Sequence, residues 1–204
     1  MSKLNFKKSN KLKDTYNKLA EEYVRQSYAN QLALPALRKF LLKLPVGVSV
    51  LDVGCGGGQD SKFLAANGMK VLGIDIAKEM IAKAQRLVPQ AKFKVMDLYK
   101  MPNNKKYDGI WCTRVFHHIS LKEQDKFLNK LNSLLKIGGL LYITVAVSDK
   151  KNDYEAFDSG HNNLLKKRLT PTSFKKLLEA HNFKLIGFKY WLGKKQMEIL
   201  ARKV

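Results

Sequence analysis

Residues 51–60 read LDVGCGGGQD, with glycine at 54, 56, 57 and 58 directly after a short apolar run. Glycine has no Cβ and tolerates φ > 0, so such a loop lets a ligand lie against the backbone. Spacing excludes two familiar ligands. A phosphate-cradling P-loop needs Lys followed by Ser or Thr after the glycines, and neither pair follows here. A dinucleotide loop needs G-x-G-x-x-G/A, but the sixth position is Gln59 counted from Gly54 and Ser61 counted from Gly56. The loop spells G-x-G-x-G, and Asp52 stands two residues before its first glycine. An acid there repels an anion and suits a ligand carrying an ammonium and a sulfonium. Asp75 lies 17 residues past Gly58, at the tip of the next apolar run. A carboxylate so placed can accept from both hydroxyls of a ribose, or cap the helix that follows.

The elements that must position these residues alternate. Tyr16, Leu19, Ala20, Tyr23 and Val24 recur at helical spacing, and a second helix should follow to about Leu44. VSVLDVG, KVLGIDI, AKFKVMDL, YDGIWC and GGLLYITVAV read as strands, with helices expected over 59–67, 77–88 and from Ser120 to about Lys136. Ser120 and Glu123 have capping-box spacing, with Gly138 expected to close that helix. Residues 148–169 read as polar and irregular; Thr170 and Pro171 suit the start of another helix, and FKLIGFKYW and KQMEILAR suit two final strands. The pattern predicts a three-layer α/β/α Rossmann-like sandwich. Its sheet should be seven-stranded and mostly parallel, with an antiparallel C-terminal strand and an N-terminal helical lid. Residues 1–204 are expected to form a single domain: lid 1–45, ligand-binding core 46–147 and acceptor-side segment 148–204. In such sheets ligands sit at the carboxyl ends of the strands, where the glycine loop lies.

The ordered set VLDVGCGGG, GID, MDL, YDGIWCTRVFHH and LLKIGGLLYIT resembles class I S-adenosylmethionine (SAM)-dependent methyltransferases over most of residues 15–146. The resemblance implies SAM as cofactor, S-adenosylhomocysteine (SAH) as product and no metal. It implies that Asp52 orders the loop and the methionine end of SAM, which Gly54, Cys55 and Gly56 approach, while Gly58 serves helix packing. Asp75 would hold the ribose, Ile76 would pack on the adenine, Asp97 would accept from its amino group, and the Leu98 amide would read the ring edge. Met80, Met96 and Thr113 complete the implied cofactor set. Tyr16 and Tyr23 either form part of a lid over SAM or pack as an amphipathic stripe.

Methyl transfer is an in-line displacement, and a general base is needed only if the acceptor must lose a proton. His117 and His118 are the catalytic candidates. Adjacent on a helix, they would point about 100° apart, so one faces the acceptor while the other packs or meets solvent. Arg114 would either orient an acidic acceptor or form a salt bridge. Tyr154, Phe157, His161 and Arg168 would belong to a lid or acceptor wall. Cys55 and Cys112 form no CxxC pair and read as small packing residues, consistent with a reducing cytoplasm.

The formal net charge is +21. Such a surface favours polyanions, yet Lys outnumbers Arg 32 to 6, and Arg is the better bidentate phosphate ligand. The densest basic stretches are residues 1–13 and 166–204, the segments to suspect if RNA binds. The leading expectation is a methyltransferase acting on a small molecule. A tRNA- or RNA-modifying enzyme is the alternative, followed by a non-catalytic SAM-binding subunit. The opening MSKLNFKKSNKLK has no apolar signal segment, and the longest apolar run, LLYITVAV, is too short to span a bilayer as a helix. A cytoplasmic monomer or homodimer without a transmembrane segment is expected.

Overall fold

The computed structural model describes residues 3–30, 33–147, 154–157, 164–167, 169–191 and 196–204. Helices α1 (Lys3–Asn30) and α2 (Leu34–Leu41) precede the alternating part: β1 (Ser49–Val53), α3 (Gln59–Ala66), β2 (Lys70–Asp75), α4 (Lys78–Leu87), β3 (Lys92–Val95) and β4 (Tyr107–Cys112). There follow α5 (Leu121–Leu134), β5 (Leu135–Ala146), β6 (Tyr154–Phe157), β7 (Leu164–Lys167), α6 (Pro171–Glu179), β8 (Phe183–Trp191) and β9 (Gln196–Lys203). Seven strands form one sheet in the order β3-β2-β1-β4-β5-β9-β8. The first five pair in parallel, and β9 runs antiparallel to both β5 and β8. This is the expected architecture.

Strand alternation explains the two cores. Successive side chains of a strand point to opposite faces. Leu51 and Val53 of β1 join Ile110, Leu141 and Ile143 under α5 and α6, where Phe127 and Phe174 are buried. Val50 faces the other way, with Trp111 and Tyr142, against Leu37 and Phe40 of α2 and Leu64 of α3. Trp111 stacks on Tyr142 at 3.9 Å between ring centroids, and Phe40 meets its edge. A third, smaller cluster docks α1 onto α4: Ala20 and Val24 pack with Ala77 and Met80 beside Tyr16, Tyr23 and Tyr28.

Several local expectations change. The helix from Leu121 ends at Leu134, and β5 begins at the next residue, so Gly138 lies inside a strand and does not close the helix. The Ser120 hydroxyl donates to the Glu123 carboxylate (2.7 Å) and leaves the helix amides to other partners, so the reciprocal capping box does not form. β3 stops at Val95, and Leu98–Lys100 make a 3₁₀ turn. Within 148–169, expected to be irregular, β6 and β7 pair antiparallel as a separate two-stranded sheet. At α6 the expectation holds, for Thr170 Oγ1 accepts from the Ser173 amide (3.2 Å) and Pro171 opens the helix.

Candidate functional site

From β1 the chain runs outward through β2 and β3, and from β4 it runs the opposite way through β5. The segments leaving β1 and β4 therefore diverge, and a crevice opens at their carboxyl ends. A cleft of about 690 Å³ occupies that place, within the range of small-molecule sites.

The glycine loop is its floor. The Gly54 and Cys55 amides donate to the Ile74 carbonyl at 2.8 and 3.1 Å, tying the loop to the end of β2. Gly54 and Gly56 have φ of +69° and +52°, in the left-handed region. A Cβ on Gly54 would lie 2.3 Å from a Val115 methyl, so this glycine lets the β4 loop close in. A Cβ on Gly56 would meet nothing nearer than Tyr23 at 3.8 Å, so its backbone is open to a ligand in the cleft. At Gly58 a Cβ would crowd Phe93, Ala84 and Val88, in keeping with the packing role expected there.

Two acids stand along one side. Asp75 accepts from the Gly56 amide (3.0 Å) and the Ala77 amide (2.9 Å), linking the glycine loop to the start of α4. Burial raises its pKa, and the Ala77, Gly56 and Ile76 amides oppose that rise. Asp97 accepts from the Tyr99 amide at 2.9 Å and so fixes the 3₁₀ turn that presents Leu98. Ile76, Met80 and Met96 line the cleft between these acids.

With one exception, every residue expected to contact a cofactor lines this cleft: Cys55, Thr113, Tyr16 and Tyr23 complete the set. The exception is Asp52. It shares the face of Val50, away from the cleft, is 2% exposed, and accepts from the Ser61 hydroxyl of α3 at 2.6 Å. Burial, with the nearby Asp60 charge, pushes its carboxyl up to about 8, against the pull of Ser61. Asp52 thus secures α3 behind the loop. Asp60 escaped the sequence reading. Buried on the first turn of α3, it accepts from Trp111 Nε1 (2.8 Å) and Thr113 Oγ1 (3.2 Å), bolting α3 to the end of β4. Its only sequence signal was its place directly after the glycine run.

A second part of the cleft wall is built from α1 and the loop after β4. His118 lines it and His117 does not; His117 is 6% exposed, packed against the neighbouring ring. Of the two expected candidates, only His118 faces the cavity. Its Nε2 lies 3.0 Å from the Tyr16 hydroxyl, and Tyr16 meets Tyr23 edge to face. Burial raises the Tyr16 pKa, keeping the phenol protonated. Arg114, with φ +59°, reaches into the same region, and its guanidinium lies 5.7 Å from the Tyr23 ring centroid. Sequence reasoning missed Tyr99, Ile119, Glu123 and Phe127, which also line the cleft. They come from the 3₁₀ turn and α5, which no local pattern ties to the glycine loop. His161 and Arg168 lie outside the described residues, as do the side chains of Tyr154 and Phe157. Among the described residues no cluster of His, Cys, Asp and Glu has metal-binding grouping, and no helix is long and apolar enough to cross a membrane.

Residues 50–139 match the family model described as a methyltransferase domain, a span that holds the glycine loop, Asp75, Asp97 and the β4 loop. This part of the chain is similar to a methyltransferase domain, and the chain has the fold of SAM-dependent methyltransferases. It is 35% identical over 106 residues to 2-methyl-6-phytyl-1,4-hydroquinone methyltransferase of Synechocystis, covering 49% of this chain and 32% of that protein. Eight of the curated relatives it matches are spanned over only 28% to 52% of their length. Two solved structures share this methyltransferase fold closely. One is the 1,6-didemethyltoxoflavin N1-methyltransferase of Burkholderia thailandensis with its substrate and SAH bound (TM-score 0.80, 20% identity, 100% of this chain and 91% of that one). The other is the magnesium protoporphyrin IX methyltransferase of Synechocystis with SAH bound (TM-score 0.78, 19% identity, 97% of this chain and 100% of that one).

Proposed function

We propose that this chain transfers the methyl group of SAM to a small-molecule acceptor. The observation that carries the reading is one continuous cleft with two regions that differ in chemistry. One region has an open glycine backbone and two carboxylates fixed by main-chain amides; the other has a tyrosine–histidine pair.

The residues present fit the cofactor. Gly56 leaves room for a ligand to lie on the backbone, and both Asp75 oxygens keep lone pairs that its two amide donors leave unused. In this reading Asp75 accepts from the ribose hydroxyls, and Ile76, Met80 and Met96 sandwich the adenine. Asp97 and Leu98 read its edge, and Gly54, Cys55, Gly56 and Thr113 border the amino-acid end. Bound SAM supplies an electrophilic methyl on its sulfonium. The protein's part is alignment and exclusion of water, which Tyr16 and Tyr23 of α1 serve from above. The His118 imidazole takes the acceptor's proton where there is one to lose, and the Tyr16 hydroxyl at Nε2 holds the ring in place. His117 supports that ring from behind.

A small-molecule acceptor is favoured because the relatives and structural neighbours are named for a hydroquinone, a toxoflavin precursor and a porphyrin. We further read residues 1–204 as one domain, with α1 as lid, α2 packed on the face of the sheet away from the cleft and the part beyond β5 as acceptor wall. The test uses SAM with a labelled methyl group, the purified protein and a fractionated cell extract. Label should appear in the small-molecule fraction. Label in RNA that is lost on RNase treatment would overturn the acceptor class, and no transfer alongside tight SAH binding would leave a SAM-binding module.

A further inference from the structure

We infer that the acceptor is an organic acid and that Arg114 is the residue that grips its carboxylate. The inference rests on the methyltransferase reading above and names the substrate class of that same site.

Arg114 is one of two non-glycine residues at positive φ among those described. A long side chain there is strained, and such strain persists only where its surroundings enforce it. Here the Arg114 amide donates to the hydroxyl of buried Thr144 on β5, at 2.8 Å. That bond turns the chain as it leaves β4 and sends the guanidinium into the cleft. An arginine serving only the surface needs no such turn.

Among the described residues no carboxylate lies within 4.0 Å of the guanidinium, and no side-chain nitrogen of Arg114 makes a hydrogen bond, so the salt bridge weighed from the sequence does not form. The nearest acids are engaged elsewhere: Asp60 by Trp111 and Thr113, Asp52 by Ser61. Burial works against its charge, yet its surroundings, Tyr23 and Asp60 foremost, outweigh that effect and hold its pKa above the usual value. Among the described residues, what remains is a planar cation over the Tyr23 ring, with five donors to offer and no hydrogen-bond partner for them. A carboxylate is its geometric complement, bound through two parallel N–H···O bonds.

A carboxylate could come from the acceptor or from the amino-acid end of the cofactor. The surroundings favour the acceptor. Arg114 is grouped with Tyr16 and Tyr23 and stands four residues before His118 on the same loop, so an acid held there lies beside the candidate base. Tyr99, Ile119, Glu123 and Phe127 also line the cleft; the Glu123 carboxylate accepts from the Ser120 hydroxyl, and the two rings and Ile119 suit an aromatic or apolar body.

Calorimetry on the wild-type chain and on Arg114→Gln separates the sources. First, SAH and 5′-methylthioadenosine, which lacks the amino-acid part, are titrated into both proteins. Then, with SAH saturating, acids are compared with their isosteric amides: benzoate with benzamide, 4-hydroxybenzoate with its amide, indole-3-acetate with its amide. The expected result is at least one acid bound about tenfold more tightly than its amide, and loss of that preference in R114Q with SAH affinity unchanged. Equal binding of acid and amide in every pair overturns the inference. So does a large loss of SAH affinity in R114Q with methylthioadenosine unaffected, which would assign Arg114 to the cofactor's carboxylate. Retained methylthioadenosine binding shows that R114Q is folded. Failure of the wild-type chain to bind SAH would instead defeat the methyltransferase reading itself.

Discussion

The two regions of the cleft wall are built by different means. In the region with Asp75 and Asp97, side chains are held by main-chain amides at the tips of parallel strands: Gly56, Ala77 and Tyr99 each donate to a carboxylate. Geometry there follows from the sheet. In the region with Tyr16, Arg114 and His118, the contacts run between side chains from α1 and from a loop, and between residues 102 apart in sequence. The contrast teaches a division of labour. On the proposed reading, the cofactor meets carboxylates that main-chain amides fix in place, and the acceptor meets side chains that each sequence can change.

Four substitutions probe that division, beginning with the largest expected effect. Gly56→Val places a β-branched residue at φ +52° on the floor of the cleft and should abolish SAH binding in calorimetry. Retained binding would mean that the ligand lies elsewhere. His118→Ala should lower turnover roughly 100-fold on an acceptor that must lose a proton, with SAH affinity unchanged. Tyr16→Phe should lower it about 2- to 10-fold, as expected for one neutral hydrogen bond. A parallel loss of SAH affinity in either variant would erase the distinction between the two regions. Asp75→Ala should weaken SAH roughly 10- to 100-fold, the scale of hydrogen bonds to a charged group. Unchanged affinity would remove Asp75 from the cofactor's contacts.

A further prediction concerns pH. The Asp52 carboxyl is raised from 3.8 to about 8 in the folded chain, so between those values the folded protein holds a proton that the unfolded chain releases. Stability from this group is therefore full below about pH 4, declines as pH rises toward 8, and is lost above it. Asp52→Asn removes the slope, so its melting temperature should gain on the wild type as pH increases. Parallel curves for the two proteins would show that Asp52 is ionised in the fold.

Much of the cofactor region was legible in the sequence because its parts are local. A glycine loop closes a strand, and an acid closes the next one, so spacing alone brings them together. Asp52 misled because a strand residue beside a loop can face either way; Ser61 on α3 decided it. The acceptor region was legible only in its candidates. That His118 and not His117 faces inward follows from a short 3₁₀ turn, and the Tyr16 contact depends on where α1 settles on α4. The strained backbone of Arg114 left no trace at all, because Thr144, which imposes it, lies 30 residues away. The pairing of β6 with β7 was hidden by polar sequence that lacks clean alternation.

The indole of Trp111 offers a last consequence. Its ring is fully buried against Tyr142 and Phe40, and its N–H is bound to Asp60 on the first turn of the helix that follows the glycine loop. The chain contains only one other tryptophan, Trp191. A Trp191→Phe variant would therefore carry a single tryptophan, excitable apart from the tyrosines and wired to the floor of the cleft. Its emission would report each movement of that floor as it happens, with no dye attached and no acceptor yet identified.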